Sequence, residues 1–524
     1  MAVLTSALDP SAEAYQRNRA AQLAALAALG DQLALARAGG GPRYADRHHD
    51  RGRLLARERI ELLLDPDAPF LELSALAAWG SEFTVGASVV TGIGVIGGVE
   101  CVLIAHDLTV RGGAMNPFTL KKTLRALEIA RRNRLPVINL VESGSAGLPA
   151  QAGLFVQAGK IFRDLTELSA LGIPTIALVF GNSTGGGAYV PGMCDYSVLV
   201  GGQAKVFPGG PPLVKMAAGG DSGDSRVSGL SDYFAADERD AIRIGRQIVA
   251  DLSWRKLGPG PGRPADEPVH DPDELLGIAS ADFRVPFDPR EVLARAVDGS
   301  RFSEYKPLYG TSLVTGWASI HGFGVGILAN ARGVLFSEEA KKAAEFIQLA
   351  NQTDTPLVFL QNTTGYMAGQ SYEQGGIIKD GAKMINAVTS STVPHITMNI
   401  GASFGAGDYG MAGRAYDPRL MFAWVNAKLA VMGAQQLAGE LSIVSRQAAQ
   451  ANGRPFDAEA DERRRRETEE QIERESHAFF VAARLYDDGV IDPRDTRTVL
   501  GLALSAAHSA PVGGRRGFGQ RKGR

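Results

Sequence analysis

Apolar positions along the chain alternate between short continuous runs and runs spaced three to four residues apart. The short runs predict buried strands, and the wider spacing predicts helices with one apolar face. Strands and helices that alternate in this way predict an α/β fold, in which helices cover a sheet. The predicted strands are Glu100–Ala105, Pro136–Val141, Thr175–Phe180 and Ser197–Val200, and the predicted helices between them are Leu120–Asn133 and Ala158–Leu171.

Two further helices are predicted before the first of these strands. Alanine and leucine recur at helical spacing from Ala12 to Arg37, and the glycines at 39–41 end the pattern. Arg51–Leu64 predicts a second helix. Residues 1–40 are therefore assigned to an N-terminal helix that packs on the main body.

An internal repeat relates the two halves of the chain. A shift of 220 positions carries Lys121-Lys122, at the start of a helix, to Lys341-Lys342 at the start of another. The same shift carries Pro174 to Pro394, Gly185 to Gly405, Gly187 to Gly407 and Tyr189 to Tyr409. An ungapped register of this length predicts a duplicated α/β unit, against the alternative of two unrelated segments of similar composition.

Composition places the domain boundaries. Leu257–Pro272 is rich in glycine and proline and predicts a linker, so one domain is assigned to residues 41–270 and the other to 271–510. Residues 511–524 form a basic, glycine-rich tail that is expected to be disordered, with weak nucleic-acid binding as the alternative. The charge run Asp461–Glu475 is typical of a solvated helix.

Bulk numbers exclude several classes of protein. The chain has 524 residues, 45% of them hydrophobic and 21% charged, with a net charge of −2, so nothing indicates a nucleic-acid or membrane partner. Two cysteines cannot form a disulfide framework. No signal peptide and no span long enough for a bilayer is predicted, which favours a soluble, cytoplasmic protein.

Glycine-rich turns follow an apolar strand in both halves, at Gly181–Tyr189 and Gly401–Tyr409. Small residues at a strand-to-helix turn leave backbone N–H groups uncovered, and the helix dipole adds partial positive charge there. Each turn can therefore stabilise an oxyanion. Two such turns suggest two developing negative charges, and a Cβ at Gly187 or Gly407 is expected to block approach to the amides.

Other chemistry remains open at this stage. Gly181–Gly185 and Gly401–Gly405 match G-x-S-x-G, so a serine hydrolase using Ser183 is an alternative, although no later histidine lies in a motif that marks a base. A second alternative is that these glycines serve only to form tight turns. His48-His49-Asp50 lacks partner spacing and predicts no metal site. Lone carboxylates such as Glu142 and Asp408 are candidate general bases, but such groups are more often caps or ion-pair partners.

Eight motifs carry a resemblance to a known family. They are DRHHDRGRLLARERIELLLDP, RGGAMNPFTLKK, TGGGAYVPGM, VFPGGPPLVK, ARGVLFSEEAKKA, NTTGYMAGQSYEQGGIIKDGAKM, GASFGAGDYGMAGRAYDPR and DDGVIDPRDTR. Together they resemble the carboxyltransferase (β) subunits of biotin-dependent acyl-CoA carboxylases, especially the methylcrotonoyl-CoA branch. The resemblance runs from about Gly41 to Arg497 and implies two tandem crotonase-like (ClpP/crotonase) domains.

The resemblance also implies a reaction and its partners. Carboxybiotin, carried on a biotin carboxylase/biotin carboxyl carrier (α) subunit, gives its carboxyl group to an acyl-CoA, and the ureido nitrogen takes the proton, so that no side-chain base is needed. The amides at Gly186-Gly187 match one oxyanion hole and those at Ala406-Gly407 the other. The first is expected to hold the thioester oxygen and the second the ureido oxygen. A homo-hexamer is implied, in which the N-half of one subunit meets the C-half of another.

Substrate-binding positions carried over from the family lie in both halves. They are Arg111, Gly112, Gly113, Gly144, Ala146, Gly333, Phe336 and Tyr409. Arg111, Lys121 and Lys122 are candidates for the CoA phosphates. Tyr409 stands where the propionyl-CoA branch carries an acidic residue, which favours a branched or unsaturated acyl group such as 3-methylcrotonoyl.

The chain also departs from the family pattern. The loop after Lys215 is shortened at residues 216–227, the usual Ser-Gly-Gly-Ala is Ser143–Ala146, and the usual Gly-Glu is Ala434-Gln435. These changes motivate one alternative, a non-catalytic subunit that assembles with an active paralogue. A CoA enzyme without biotin is a second alternative, within the same fold.

Overall fold

The computed structural model describes residues 2–144, 151–207, 229–280 and 282–515. Helices in these ranges are α1 Glu13–Ala38, α2 Pro42–His49, α3 Ala56–Leu63, α4 Pro117–Asn133, α5 Gln151–Ala170, α6 Tyr189–Met193, α7 Glu238–Asp251, α8 Leu275–Ile278, α9 Pro289–Leu293, α10 Ser337–Gln352, α11 Gln370–Gln374, α12 Ile377–Ser390, α13 Gly405–Gly410, α14 Ala434–Ala451, α15 Ala458–Ser476, α16 Ala478–Ala483 and α17 Thr496–Ala507. Strands are β1 Ala2–Val3, β2 Phe70–Leu73, β3 Val89–Ile96, β4 Val99–His106, β5 Val137–Ser143, β6 Thr175–Thr184, β7 Tyr196–Val200, β8 Lys205–Phe207, β9 Tyr233–Ala235, β10 Arg301–Glu304, β11 Leu313–Ile320, β12 Phe323–Asn330, β13 Gly333–Leu335, β14 Leu357–Tyr366, β15 His395–Phe404, β16 Leu420–Trp424, β17 Lys428–Ala430 and β18 Val490–Ile491.

The described strands form two sheets with the same order. The first sheet runs β2-β3-β4-β5-β6-β7-β9, and the second contains β10-β11-β12-β14-β15-β16-β18. In each, two antiparallel pairings lead into a row of parallel strands, which need helical crossovers. Helices cover the parallel strands, so these strands are apolar and buried along most of their length. The predicted duplication and the α/β fold of two crotonase-like units are confirmed.

Two lysines related by the shift are buried in the same way. Lys122 Nζ donates to the Val89 carbonyl at 2.8 Å, and Lys342 Nζ donates to the Leu313 carbonyl at 2.7 Å. Burial lowers the pKa of each ammonium to about 8. Each lysine ties its helix to the first long strand of its sheet. The prediction that Lys122 binds a CoA phosphate is therefore wrong.

The N-terminal segment reaches the second half of the chain. Helix α1 spans nearly the predicted range and packs on α8, where a Cβ on Gly277 would collide with the ring of Tyr15. Strand β1 pairs with β10. The helix predicted at Arg51–Leu64 begins only at Ala56, because Gly52 turns with a φ of +70°. Helix α2 was not predicted.

The linker and the tail are both docked on the body. Gly258 N–H donates to the His508 carbonyl at 2.9 Å, although 257–271 holds no helix or strand. Gly514 N–H donates to Asp354 at 2.8 Å, so residues 511–515 are packed, contrary to the prediction of disorder. Residues 516–524, and the shortened loop 216–227, lie outside the described residues. Asp461–Glu475 lies within α15, as predicted.

The two halves share one core and one buried ion-pair cluster. Apolar side chains of both sheets, such as Val137 and Phe422, belong to the same cluster of buried residues. Asp488, fully buried, accepts hydrogen bonds from Arg125 of the first half at 2.8 and 2.9 Å and from Arg414 at 2.7 Å. The two arginines hold the pKa of Asp488 well below its usual range, against the cost of burial. This cluster, with the shared core, sets the orientation of one half against the other.

Asp488→Ala is expected to lower the free energy of unfolding by about 3–5 kcal/mol, because it leaves two arginines in the seam without their carboxylate. Because the folded pKa of Asp488 is depressed, its contribution is present above the unfolded pKa and is lost as the pH falls through the folded pKa. Denaturant unfolding measures the change. The control is Asp31→Ala, an exposed position on α1, which should change stability by less than about 0.5 kcal/mol. Equal losses in the two variants would contradict the role of the cluster.

Candidate functional site

The first glycine turn joins β6 to α6. Residues Gly185–Ala188 form one 3-10 turn, and Gly185 takes a φ of +59°, a conformation that favours glycine. Gly187 is buried against the end of β5: an added Cβ would lie 3.2 Å from Ser143 Oγ and 3.4 Å from Ser183 Oγ. The turn therefore seats directly on the strand ends. Gly186 is exposed, which leaves its backbone open to solvent.

The second turn, at the end of β15, repeats this geometry. Gly405 has a φ of +54°, Ala406 is exposed and Gly407 is buried, the same order as at Gly185, Gly186 and Gly187. An added Cβ on Gly407 would lie 2.9 Å from the Gly365 Cα. At both turns the Cβ would point into the strand ends. A side chain added at Gly187 or Gly407 is therefore expected to act by displacing the turn. The expectation that its Cβ blocks approach to the amides directly is wrong.

A further backbone segment that contains glycine lies beside each turn. Gly113 and Gly333, related by the shift, have φ of +71° and +73°. Gly144 N–H donates to the Gly113 carbonyl at 3.2 Å, and a Cβ on Gly144 would collide with the Gly112 carbonyl. In the second half, Thr364 Oγ1 donates to the Gly333 carbonyl at 2.9 Å. The structure thus brings Gly112, Gly113 and Gly144 together beside the first turn.

Of the remaining predicted residues, Arg111 lies on the surface beside that segment. Its guanidinium lies over the Phe83 ring at 5.9 Å and is not bound to a carboxylate among the described residues. The Phe336 ring packs on Tyr372 at 5.7 Å, at the start of α10. Ala146 lies outside the described residues.

Glu142 is a structural ion-pair partner. Its carboxylate accepts from Arg53 at 2.5 Å and from the buried Arg59 at 2.8 Å, and Arg59 also donates to Glu238 at 2.9 Å. A Cβ on Gly181 would collide with this carboxylate, so the glycine at the end of β6 makes room for the ion pair. The arginines occupy the lone pairs that a general base would need. The same strand end in the second half carries Asn362, whose Oδ1 accepts from Ala402 N–H at 3.2 Å.

The Asp408 carboxylate also accepts hydrogen bonds from neighbouring side chains. Its Oδ1 accepts from Ser403 Oγ at 2.8 Å and from Gln361 Nε2 at 3.2 Å, and the residue is buried beneath the second turn. Burial raises the pKa of Asp408, and the two hydrogen bonds oppose that rise. The side chain braces the turn from within and does not face an open site.

Both serines of the G-x-S-x-G matches are buried. Ser183 Oγ donates to the Gly187 carbonyl at 2.7 Å, and Ser403 Oγ donates to Asp408. No described histidine forms a hydrogen bond with either hydroxyl. Each serine fastens its turn to the strand end, so the geometry does not support a serine hydrolase.

Two cavities lie near the second turn. One, of about 600 Å³, reaches Gly333, Asn362 and Thr364 and is lined on another side by Gln435 and Gln436. We call it the amide cavity. Its mouth is framed by the ion pair of Lys428 and Glu473 and by that of Asp282 and Arg284 at 2.7 Å. These mouth residues were not predicted, because no motif marks them and the fold alone brings them together.

Tyr409 lines the other cavity, which holds about 680 Å³, and so is separated from Gly333. Its ring lies 5.7 Å from the ring of Tyr416, and 43% of the residue remains exposed. Lys121 lines a third cavity of about 450 Å³, together with Arg131 and Arg163.

The described residues contain no group of three or more potential metal ligands, and among them no helix is long and apolar enough to cross a bilayer. His48, the first residue of the run His48-His49-Asp50 considered above as a metal site, has its Nε2 atom 3.1 Å from the Leu54 carbonyl.

Comparisons with known proteins agree on one family. The carboxyl transferase domain matches residues 47–517. The chain is 62% identical to a probable biotin-dependent acyl-coenzyme A carboxylase beta2 subunit of Mycobacterium tuberculosis, over 99% of each chain. It is 46% identical to the mitochondrial methylcrotonoyl-CoA carboxylase beta chain of Dictyostelium discoideum, over 97% of this chain and 89% of that one. The crystal structure of the geranyl-CoA carboxylase beta subunit of P. aeruginosa superposes with a TM-score of 0.88 at 40% identity, covering 99% of this chain and 100% of that one.

Gly407→Ala is expected to lower kcat for carboxyl transfer by about 100-fold or more, because the methyl group forces the turn away from the Gly365 backbone. Gly187→Ala should cost less, since the new methyl group would lie 3.2 Å from Ser143 Oγ and 3.3 Å from Ser143 Cβ, both looser than the 2.9 Å contact at Gly407. Steady-state kinetics and circular dichroism measure activity and folding. Gly439→Ala on α14, with no atom within 4 Å of the new Cβ, is the matched control. Near wild-type turnover in Gly407→Ala would contradict the role of the turn.

Proposed function

The chain belongs to the carboxyl transferase domain family and is a carboxyltransferase of the biotin-dependent acyl-CoA carboxylases, and from this we propose that its two glycine turns bind the two oxyanions of the reaction. The observation that carries the proposal is the repeated geometry at Gly185–Gly187 and Gly405–Gly407, with an exposed second residue and a buried third in each. Nothing else in the described residues supplies a free base beside either turn. Backbone amides at Gly186-Gly187 and Ala406-Gly407 are the donors, each with about 2.7–4 kcal/mol of transition-state stabilisation by comparison with other oxyanion holes.

The two turns have different surroundings, and this supports an assignment of substrates. Exposed cationic side chains, Arg111 and Lys121, lie on the first half, and they suit the phosphates of an acyl-CoA. The amide cavity of the second half offers the uncharged groups of Asn362, Thr364 and Gln435, and its charged lining residues other than Arg332 are paired with one another. A neutral cyclic urea fits such groups better than a phosphate does. We therefore assign the thioester oxygen to the first turn and the ureido oxygen to the second.

Biotin reaches this chain on a separate subunit in the proposal. The carboxybiotin of a biotin carboxylase/biotin carboxyl carrier (α) subunit supplies the carboxyl group. This chain positions the acyl-CoA and stabilises negative charge at both turns. A homo-hexamer in the cytoplasm, with the N-half of one copy facing the C-half of another, completes the proposal. The boundary between the halves is placed at residues 270 and 271, between α7 and α8.

Dependence on the partner tests this function. The purified chain alone should neither hydrolyse ATP nor fix bicarbonate, because the catalytic machinery proposed here is limited to charge stabilisation. With a biotin carboxylase/carrier subunit it should carboxylate 3-methylcrotonoyl-CoA, measured as incorporation of labelled bicarbonate. Fixation by the isolated chain, or a stable monomer in light scattering, would contradict the proposal.

Acyl preference is proposed to depend on Tyr409, since it is half-exposed on α13, the short helix that begins at Gly405 within the second turn. Tyr409→Ala should change the ratio of kcat/KM between propionyl-CoA and 3-methylcrotonoyl-CoA by about tenfold or more, as a pocket contact contributes about 1–3 kcal/mol. Tyr44→Ala, a half-exposed tyrosine on α2 that belongs to neither turn, is the control and should leave the ratio unchanged. Equal losses for both substrates in Tyr409→Ala would show that the ring supports the fold and does not select the acyl group.

A further inference from the structure

A buried carboxylate lies directly beneath the second glycine turn. Asp408 follows Gly407 on α13, and only 7% of the residue is exposed. Its Oδ1 accepts hydrogen bonds from Ser403, near the end of β15, and from Gln361 on β14. These bonds place the carboxylate between the turn and the strands that carry it, where a charge acts on the turn with little screening by water.

No cation is paired with this carboxylate among the described residues. The groups that face it are the uncharged side chains of Ser403 and Gln361 and the backbone at Gly413, where an added Cβ would collide with Asp408 Oδ2. Burial raises the pKa of Asp408, and the two hydrogen bonds oppose the rise. The buried Asp488, in contrast, is held by two arginines.

The other titratable groups on the elements around α13 do not supply a counter-charge. Burial raises the pKa of Tyr366 on β14, so its hydroxyl stays neutral beside the helix. Asp380 on α12 is paired with two lysines, and Arg414, beyond the turn, is paired with Asp488. None of these groups contributes to the pKa of Asp408. The charge beneath the second turn therefore changes with Asp408 itself.

The first turn is built differently at the same place. The shift of 220 positions carries Asp408 to Ala188, which is buried and apolar. Ser183 Oγ donates to the Gly187 carbonyl, whereas its counterpart Ser403 donates to the Asp408 carboxylate. The two turns share their backbone geometry, but a titratable group lies beneath the second and an alanine beneath the first. The electrostatic potential that each turn presents to a ligand therefore differs.

We infer that Asp408 acts through the second turn, and that its charge sets how strongly the turn holds an oxyanion. The neutral carboxyl group leaves the positive potential of the amides intact, whereas the ionised group opposes the negative charge that develops above them. Adjacent Cα atoms lie about 3.8 Å apart, so the carboxylate is within about 10 Å of an oxyanion at the Gly407 amide. At that distance a like charge in protein surroundings lowers a rate by about tenfold. The inference rests on the oxyanion role proposed for the turn.

Asp408→Asn tests the inference, because the amide keeps the oxygen that Ser403 and Gln361 bind and removes the charge. With the biotin carboxylase/carrier subunit, kcat of the variant should exceed the wild-type value by about tenfold at alkaline pH. The two values should converge as the pH falls through the pKa of Asp408, and KM for the acyl-CoA should not change. Asp461→Asn is the matched control: this buried carboxylate also accepts from a serine, Ser442, but lies on α15, and kcat should follow the wild type at every pH.

Denaturant unfolding of the full chain gives a second readout that needs no partner subunit. Because the folded pKa of Asp408 is raised, the stability contributed by its neutral form is present below the unfolded pKa and is lost as the pH rises through the folded pKa. The free energy of unfolding of the wild type, relative to Asp408→Asn, should therefore fall as the pH rises. Its midpoint should coincide with that of the kcat ratio. Asp408→Ala, which copies Ala188 of the first turn, should show the same pH dependence of that ratio.

Two results would overturn the inference. One is a folded Asp408→Asn chain whose kcat at alkaline pH equals or falls below the wild-type value, and the other is a pair of midpoints that differ. Gly407→Ala separates this failure from that of the proposed function. Lost turnover in Gly407→Ala beside an unchanged Asp408→Asn would reject the role of Asp408 alone, and normal turnover in Gly407→Ala would reject the oxyanion turn as well.

Discussion

Close contact between backbone segments is the constraint on which the rest of this site depends. At Gly407 the turn sits so near Gly365 that even a methyl group has no room, and at Gly187 the neighbour is the end of β5. The contact holds each turn rigidly at the carboxyl edge of a parallel sheet, where ligands of α/β proteins bind. The oxyanion role proposed for the turns needs donors that do not reorganise during the reaction, and this packing would supply that rigidity.

Buried polar groups behind the turns also hold the turns rigidly in place. Ser183 and Ser403 fasten the turns from below, and Glu142 with its two arginines fills the space behind the first. Asp488 then joins the halves through Arg125 and Arg414. These charged groups are satisfied by partners in the chain, so they contribute a fixed geometry.

Much of this organisation could be predicted from the sequence because the internal repeat is visible in the sequence itself. The shift of 220 positions aligned strands, turns and even the buried Lys122 and Lys342, which a helical pattern alone does not distinguish from solvated lysines. The recurrence of a lysine at both positions was a signal of a structural role that the prediction for Lys122 missed. Helix α2 was missed because its sequence, PRYADRHH, is polar and shows no apolar periodicity. The cavities were beyond prediction, since the amide cavity joins residues as far apart as Asp282 and Glu473.

The central claim is that each half supplies one oxyanion turn to a site shared by two copies of the chain. Mixing Gly187→Val and Gly407→Val chains during assembly with the biotin carboxylase/carrier subunit tests it directly. Random pairing would give sites with both turns intact in about one case in four, so the mixture should recover about a quarter of wild-type carboxylation while each variant alone stays inactive. No recovery in a mixture that assembles normally would show that both turns of a site come from one chain, or that the turns do not carry the reaction.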